Sequence, residues 1–156
     1  VLATAVEFVG VFALWFVYFD DIPKAGIRPG LVRAELWALS HLPLQIGIVA
    51  VAVGISKFLQ ISRHPVHDEA IVILGVGFAA VYVGLALVGL SGLRTPIAPL
   101  TAARLGVAGL TAVLAFGAWT LSWFAPAQLL VALAGLAVLH AVVAQRLRAH
   151  THVPRH

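Results

Sequence analysis

The chain has 156 residues, of which 62% are hydrophobic and only 10% are charged, whereas soluble domains carry about 25% charged residues. This composition excludes an ordinary soluble fold and indicates a protein whose natural solvent is lipid. There is no cysteine, which excludes disulfides, thiolate metal sites and cysteine nucleophiles. The net charge of +4 comes from basic residues in short stretches between apolar runs, a pattern that indicates membrane topology rather than nucleic-acid binding.

Five apolar runs are each long enough to cross a bilayer, which takes about 20 helical residues. The runs are continuously apolar rather than alternating, which favours helices over a closed barrel. We therefore predict an all-α fold, a polytopic integral membrane bundle with about five transmembrane helices. The predicted helices cover residues 1–19, 35–59, 70–93, 101–124 and 126–145.

The predicted membrane domain covers residues 1–147, and residues 148–156 are predicted to form a basic, disordered tail. The first residue, Val1, already lies inside an apolar run, so we expect further helices of the same protein upstream. The short connection around Pro126 predicts that the last two helices form an antiparallel hairpin.

Lysine and arginine residues predict the orientation. If the five helices alternate, the first loop, the third loop and the tail share one side, which holds eight of these residues, against Lys57 and Arg63 on the other. The bias towards positive charge inside the cell places the first loop and the tail in the cytoplasm. The eight residues are Lys24, Arg28, Arg33, Arg94, Arg104, Arg146, Arg148 and Arg155.

Glycines recur along the predicted helices. Gly47 and Gly54 fall near one stripe of the second helix together with Ala50. The third helix contains Gly75, Gly77 and Gly84, and the fourth contains Gly106 and Gly109. Small residues let helix backbones approach closely in lipid, so the pattern predicts tight packing. The alternative is that these glycines are hinges of a moving element.

Two acidic residues mark the first predicted helix. Glu7 lies about 20 Å from Asp20 at 1.5 Å per residue. It is either a proton- or cation-binding carboxylate or an interfacial group that closes a hydrogen bond between helices. Asp20 follows Trp15 and Tyr18, residue types that favour the headgroup level. It is either a solvated acid beyond this aromatic belt or the partner of Arg28 or Arg33 in a cytoplasmic vestibule.

His41 and Gln45 lie one turn apart and share a face of the second helix. An imidazole titrates near neutral pH and relays protons, and a glutamine side chain can order water or contact a polar ligand. Pro43 between them removes a backbone donor, and loosened backbone at membrane depth accompanies a cavity. The pair is the strongest candidate for a polar site. The alternative is a structural histidine whose hydrogen bonds are formed with a neighbouring helix.

The remaining histidines are weaker candidates. His140 has the same predicted depth as His41, which permits a pair, and the alternative is a lone interfacial histidine. His64-x-x-His67-Asp68 has the spacing of metal ligands but no helix to fix it, so we predict no metal site. No motif for catalysis, phosphate binding or nucleic-acid binding is present, and we expect no catalytic residue and no cofactor.

Part of the sequence resembles the bacterial low temperature requirement A family (LtrA). The resemblance rests on the aromatic run ending Tyr18-Phe19-Asp20, a basic loop with Arg33, and His41-Leu42-Pro43-Leu44-x-x-Gly47-Ile48. It implies a multi-pass bacterial membrane protein that is longer than this chain, and no established reaction. The family-like positions are Trp15, Tyr18, Asp20, Arg33, His41 and Gly47.

These observations favour a transporter- or channel-like protein of the bacterial inner membrane. Protons or a small solute would pass His41 and Gln45, with Glu7 as a further polar group. The alternative is a structural or stress-adaptation factor that supports growth in the cold without transport. An intramembrane enzyme ranks last because serines and histidines are scattered, so we expect no enzyme. The expected partners are the lipid bilayer, the transported species and the upstream helices, and not nucleic acid.

Overall fold

The structure is a computed structural model that describes residues 2–25, 29–60, 68–91, 97–121 and 126–151. The described residues form five helices and contain no strand, which confirms the predicted all-α fold. The helices are α1 Leu2–Ala25, α2 Leu31–Gln60, α3 Asp68–Ser91, α4 Ile97–Leu121 and α5 Pro126–Thr151.

Four of the helices, α2 to α5, are long and apolar enough to cross a membrane. In α1 the corresponding apolar stretch within the described residues is the shorter Phe8–Phe19. The structure therefore confirms a membrane protein with several spanning helices, and a fifth crossing by α1 stays a prediction.

The helices extend beyond the apolar runs that predicted them. α1 continues through Asp20 to Ala25, α2 begins at Leu31, and α5 continues to Thr151, inside the segment predicted as a tail. The length of an apolar run shows how much of a helix lies in the hydrocarbon core of the membrane. The helix itself ends only where its backbone leaves the helical conformation. Charged residues in water can therefore prolong a helix that the lipid no longer requires.

The start of α2 is set by the local backbone conformation of Gly30. Gly30 has a φ of 132°, a conformation that L side chains rarely adopt. Its carbonyl accepts hydrogen bonds from the amides of Arg33 and Ala34 at 3.2 and 3.1 Å, which closes the first turn. α2 then runs without interruption through Pro43 to Gln60.

The central helix of the bundle is α3, which packs against α2 on one side and α4 on the other. α5 packs against α4 and α1, and α1 also touches α3. α1 and α2 both lie against α3, and a cleft remains between them, with residues of α3 among its lining.

The α2–α3 contact is a seam of glycines. A Cβ at Gly47 would lie 2.7 Å from the Gly77 carbonyl oxygen, and one at Gly84 would lie 2.8 Å from the Leu44 amide nitrogen. Both approaches are of backbone to backbone, which confirms the predicted tight packing along this seam. Gly106 and Gly109 of α4 instead have nothing within 4 Å of such an atom, so they do not serve packing within the described part of the chain.

Candidate functional site

The most unusual residue of the bundle is Arg104, which lies within α4, seven residues after Ile97. Its exposed fraction is only 2%. Placing arginine inside a membrane helix costs about 2.5–3.5 kcal/mol on insertion scales, so the surrounding helices must compensate its charge.

α3 provides part of this compensation. The Nη1 atom of Arg104 donates a hydrogen bond to the Leu85 carbonyl oxygen at 2.8 Å. One turn further along α3, a Cβ at Gly89 would lie 2.7 Å from the same Nη1. The absence of a side chain at position 89 therefore makes room for the guanidinium against the α3 backbone.

Tyr82 lies near Arg104, and His140 in turn contacts Tyr82. Tyr82 is fully buried on α3, and its ring meets the His140 ring of α5 edge to face, with centroids 5.0 Å apart. Arg104 lies within electrostatic range of Tyr82. His140 is itself only 2% exposed. We call Arg104, Tyr82 and His140 the core polar cluster; it joins α3, α4 and α5.

The Tyr82 hydroxyl is buried and forms no hydrogen bond with any described residue. The same holds for the Thr111 hydroxyl, which lies two turns after Arg104 on the inner face of α4. Buried hydroxyls normally find a partner. The centre of the bundle therefore contains two buried hydroxyls that have no hydrogen-bond partner among the described residues.

His41 lies in a different environment. It is half-buried, and its Nδ1 atom lies 2.6 Å from the Trp37 carbonyl oxygen. Because a carbonyl only accepts, Nδ1 carries the proton and Nε2 is the acceptor of the neutral ring. The ring also contacts Trp37, at 4.4 Å between centroids, and lies 6.5 Å from Tyr18.

The cavity beside His41 is apolar. It is a cleft of about 330 Å³ between α1 and α2, with Val81 and Leu85 of α3 among its lining residues, and we call it the lateral cleft. It begins one turn beyond His41, at Leu44. Trp15 lines the cleft and is 52% exposed, so the cleft opens on the outer surface of the bundle.

The other predicted site residues are dispersed. Gln45 is exposed on the outside of α2, although it lies only one turn from His41. Arg33 is exposed and donates from Nη1 to the Leu90 carbonyl oxygen at 3.2 Å, near the end of α3. The side chains of Glu7 and Asp20 lie outside the described residues, so their proposed roles stay predictions.

A pair of His41 and His140, which their equal predicted depth permits, receives no support from their ring contacts. His41 contacts Trp37 and Tyr18, whereas His140 contacts Tyr82. Among the described residues, no group of three metal-ligating side chains is found. His64 and His67 lie outside those residues.

A sequence model of the bacterial low temperature requirement A proteins (LtrA) matches residues 1–142. The chain belongs to the LtrA family. The match extends the resemblance, which covers about residues 12–54, to nearly the whole chain, and it includes all three members of the core polar cluster. No curated protein and no solved structure matches this LtrA protein.

Sequence reasoning missed the role of Arg104 by counting it among the loop charges. The structure corrects this assignment, because Arg104 is buried inside α4. A signal was present in the sequence: Arg104 is the only charged residue between Thr101 and Phe124, the extent of the predicted fourth helix. Tyr82 had no comparable signal, because one tyrosine in an apolar helix is usual.

Proposed function

We propose that this LtrA protein moves protons or a small polar solute across the membrane, and that the core polar cluster is its polar site. The observation that carries the proposal is the burial of Arg104 inside a membrane bundle, beside Tyr82 and His140. Ionisable side chains within membranes are expensive and mark ion or substrate pathways. The proposal is for a transporter- or channel-like activity and not for an enzyme.

His41 and Gln45, the pair predicted from the sequence, receive different support. His41 is half-buried, and its Nε2 atom can accept a proton, so it can serve as a second polar group nearer the helix end. Gln45 is exposed on the outer surface of α2, which gives it no support as a lining residue.

The experiment is proton flux into liposomes that contain the purified full-length protein and a trapped pH-sensitive dye, driven by a potassium diffusion potential. Tyr82→Phe removes one buried hydroxyl, and His140→Gln removes the titratable ring. We expect each variant to lower the flux about tenfold or more, because each removes a group that would bind the hydrated proton in passage, and a hydrogen bond to a charged species contributes about 1.5–3 kcal/mol.

The matched control is Tyr18→Phe, which removes a hydroxyl from the half-buried ring beside His41 and leaves the core polar cluster intact. Its flux should equal that of the unaltered protein. Equal fluxes in Tyr82→Phe, His140→Gln and the unaltered protein would contradict a proton pathway through the cluster.

A second candidate function is a non-transport membrane factor that supports growth in the cold. The observation that favours it is the glycine seam between α2 and α3, which is close-packed and leaves no polar passage there. Growth at low temperature of a strain that lacks its own copy separates the two functions. Rescue by a His140→Gln protein that has no flux would favour the non-transport factor.

We also propose that the protein lies in the bacterial inner membrane with its first loop and C-terminal end in the cytoplasm. The support is the distribution of Lys and Arg. With Arg104 buried, seven such residues remain on the proposed cytoplasmic side, against Lys57 and Arg63 on the other.

The absence of native cysteine from this chain makes the orientation directly testable by single-cysteine labelling. Pro29→Cys, at an exposed position of the first loop, should react with a membrane-impermeant maleimide only in inside-out vesicles. His67→Cys should react only in intact cells whose periplasm is accessible. The opposite pattern would reverse the proposed orientation.

A further inference from the structure

The lateral cleft has an apolar body and a polar end. Its wall includes Leu44, Ile48 and Val51 of α2 and Leu14 of α1. Tyr18 lines the end nearer the start of α2, and the His41 ring lies just beyond that end, with its centroid 6.5 Å from that of the Tyr18 ring. An apolar groove with one polar end fits an amphiphile better than it fits an apolar helix or a polar solute.

A continuous stripe of α2 extends from this polar end towards the membrane surface. Arg33, Trp37 and His41 are spaced four residues apart, so they lie above one another on the helix. The order along the stripe is cation, indole, imidazole and then the apolar cleft. Tryptophan favours the headgroup level, and this order matches the polarity of a bilayer leaflet from its surface inwards.

Arg33 is held in place at the top of the stripe. Its Nη1 atom donates to the Leu90 carbonyl at 3.2 Å, at the C-terminal end of α3, where carbonyl groups lack partners within the helix. The guanidinium carries five N–H donors, and the side chain is exposed. The remaining donors therefore face the headgroup region from a fixed position.

The dimensions agree with one lipid leaflet. Fifteen residues separate Arg33 from Ile48, which is about 22 Å at 1.5 Å per residue. Half of a bilayer including its headgroups is about 20–22 Å thick. A phosphate at Arg33 would thus place an acyl chain within the cleft.

We propose that the lateral cleft binds one acyl chain of an anionic phospholipid, whose phosphate is bound by Arg33. The net charge of the chain is +4, which favours an anionic over a zwitterionic headgroup. Glu35 is exposed nearby, but it lies two residues on and points to another side of α2. Trp37 and His41 contact the glycerol region between phosphate and acyl chain.

Trp15 provides a native reporter because it lines the cleft. The test uses the full-length protein in nanodiscs, with the tryptophans other than Trp15 and Trp37 replaced by phenylalanine, because Trp37 belongs to the proposed site. Quenching of Trp15 fluorescence is compared for phosphatidylglycerol and phosphatidylcholine that carry brominated acyl chains. We expect phosphatidylglycerol to be preferred about fivefold, the contribution of one cation at an anionic membrane surface.

The variants test the two ends of the lipid separately. Arg33→Gln should abolish the headgroup preference, and Arg33→Lys should retain most of it. Arg146→Gln removes an exposed cation of α5 and should leave the preference unchanged. Ala52→Phe fills the cleft and should lower quenching by both lipids, whereas Ala112→Phe on the exposed face of α4 should not.

Three results would overturn the proposal. Equal quenching by both lipids in the unaltered protein would mean that the lipid at Trp15 is ordinary solvent. A preference for phosphatidylglycerol that survives in Arg33→Gln would show that the headgroup does not bind at this arginine. No quenching by either lipid would show that another helix or a second copy of the chain fills the cleft.

Discussion

The guanidinium of Arg104 occupies the position that a side chain at Gly89 would need, because a Cβ on Gly89 would lie 2.7 Å from the Arg104 Nη1 atom. The glycine permits the guanidinium to reach the Leu85 carbonyl. The buried cation therefore depends on a residue of a different helix, and this dependence can be measured.

Gly89→Ala should displace the guanidinium from the Leu85 carbonyl. We expect a loss of no more than about 1.5 kcal/mol in unfolding free energy, because Nη1 ends a flexible side chain that can shift and weaken the hydrogen bond without losing it. Unfolding by sodium dodecyl sulfate in mixed micelles gives the measurement. Gly106→Ala is the control, because position 106 has nothing within 4 Å, and it should not destabilise the protein.

Gly47→Ala should disrupt the seam between α2 and α3. The new Cβ would lie 2.7 Å from both the Gly77 carbonyl oxygen and the Val81 amide nitrogen, and these backbone atoms cannot move aside independently. Overpacking of this kind costs about 1–3 kcal/mol. The same micelle titration measures it, with Gly109→Ala in open space as the matched substitution; equal effects of the two would argue against a close-packed seam.

Tyr82→Phe should affect stability and activity in opposite directions. The Tyr82 hydroxyl is buried without a hydrogen-bond partner among the described residues, and such a group costs about 1–3 kcal/mol. Its removal should raise the unfolding free energy while it lowers proton flux. A destabilised Tyr82→Phe protein would instead indicate that the hydroxyl has a partner in the folded protein.

Lys57→Ala should cost less than about 1 kcal/mol, the usual upper range for exposed ion pairs. Lys57 Nζ lies 2.9 Å from Glu69 Oε2 between the end of α2 and the start of α3, and both side chains are largely exposed, at 43% and 71%. A double-mutant cycle with Glu69→Ala at low and high salt measures the coupling. A large, salt-independent coupling would contradict this expectation.

The sequence predicted the helices well because lipid imposes a simple rule on them. Apolar length located α2 to α5, and only their ends differ, since Asp20 and the basic residues after Gln145 continue helices into water. The glycine spacing of Gly47 and Gly54 also predicted a close contact. Apolar length and glycine spacing can each be recognised within the sequence of a single helix.

The core polar cluster could not be assembled from the sequence because its members come from three helices. His140 was a candidate, but its neighbour proved to be Tyr82 rather than His41. His41 and Gln45 illustrate a further limit: they share a helix face, yet one is half-buried and the other exposed. Burial at each depth depends on which helix lies opposite, and one sequence does not contain that information.

The pairing of α1 with α5 has a consequence for synthesis. About 100 residues separate the end of α1 from the start of α5, and ribosomes add roughly 5–20 residues per second. α1 therefore waits about 5–20 s in the membrane before its partner emerges, while α2 and α3 can already associate. During that interval the exposed side of α1 depends on lipid or on the insertion machinery for its contacts.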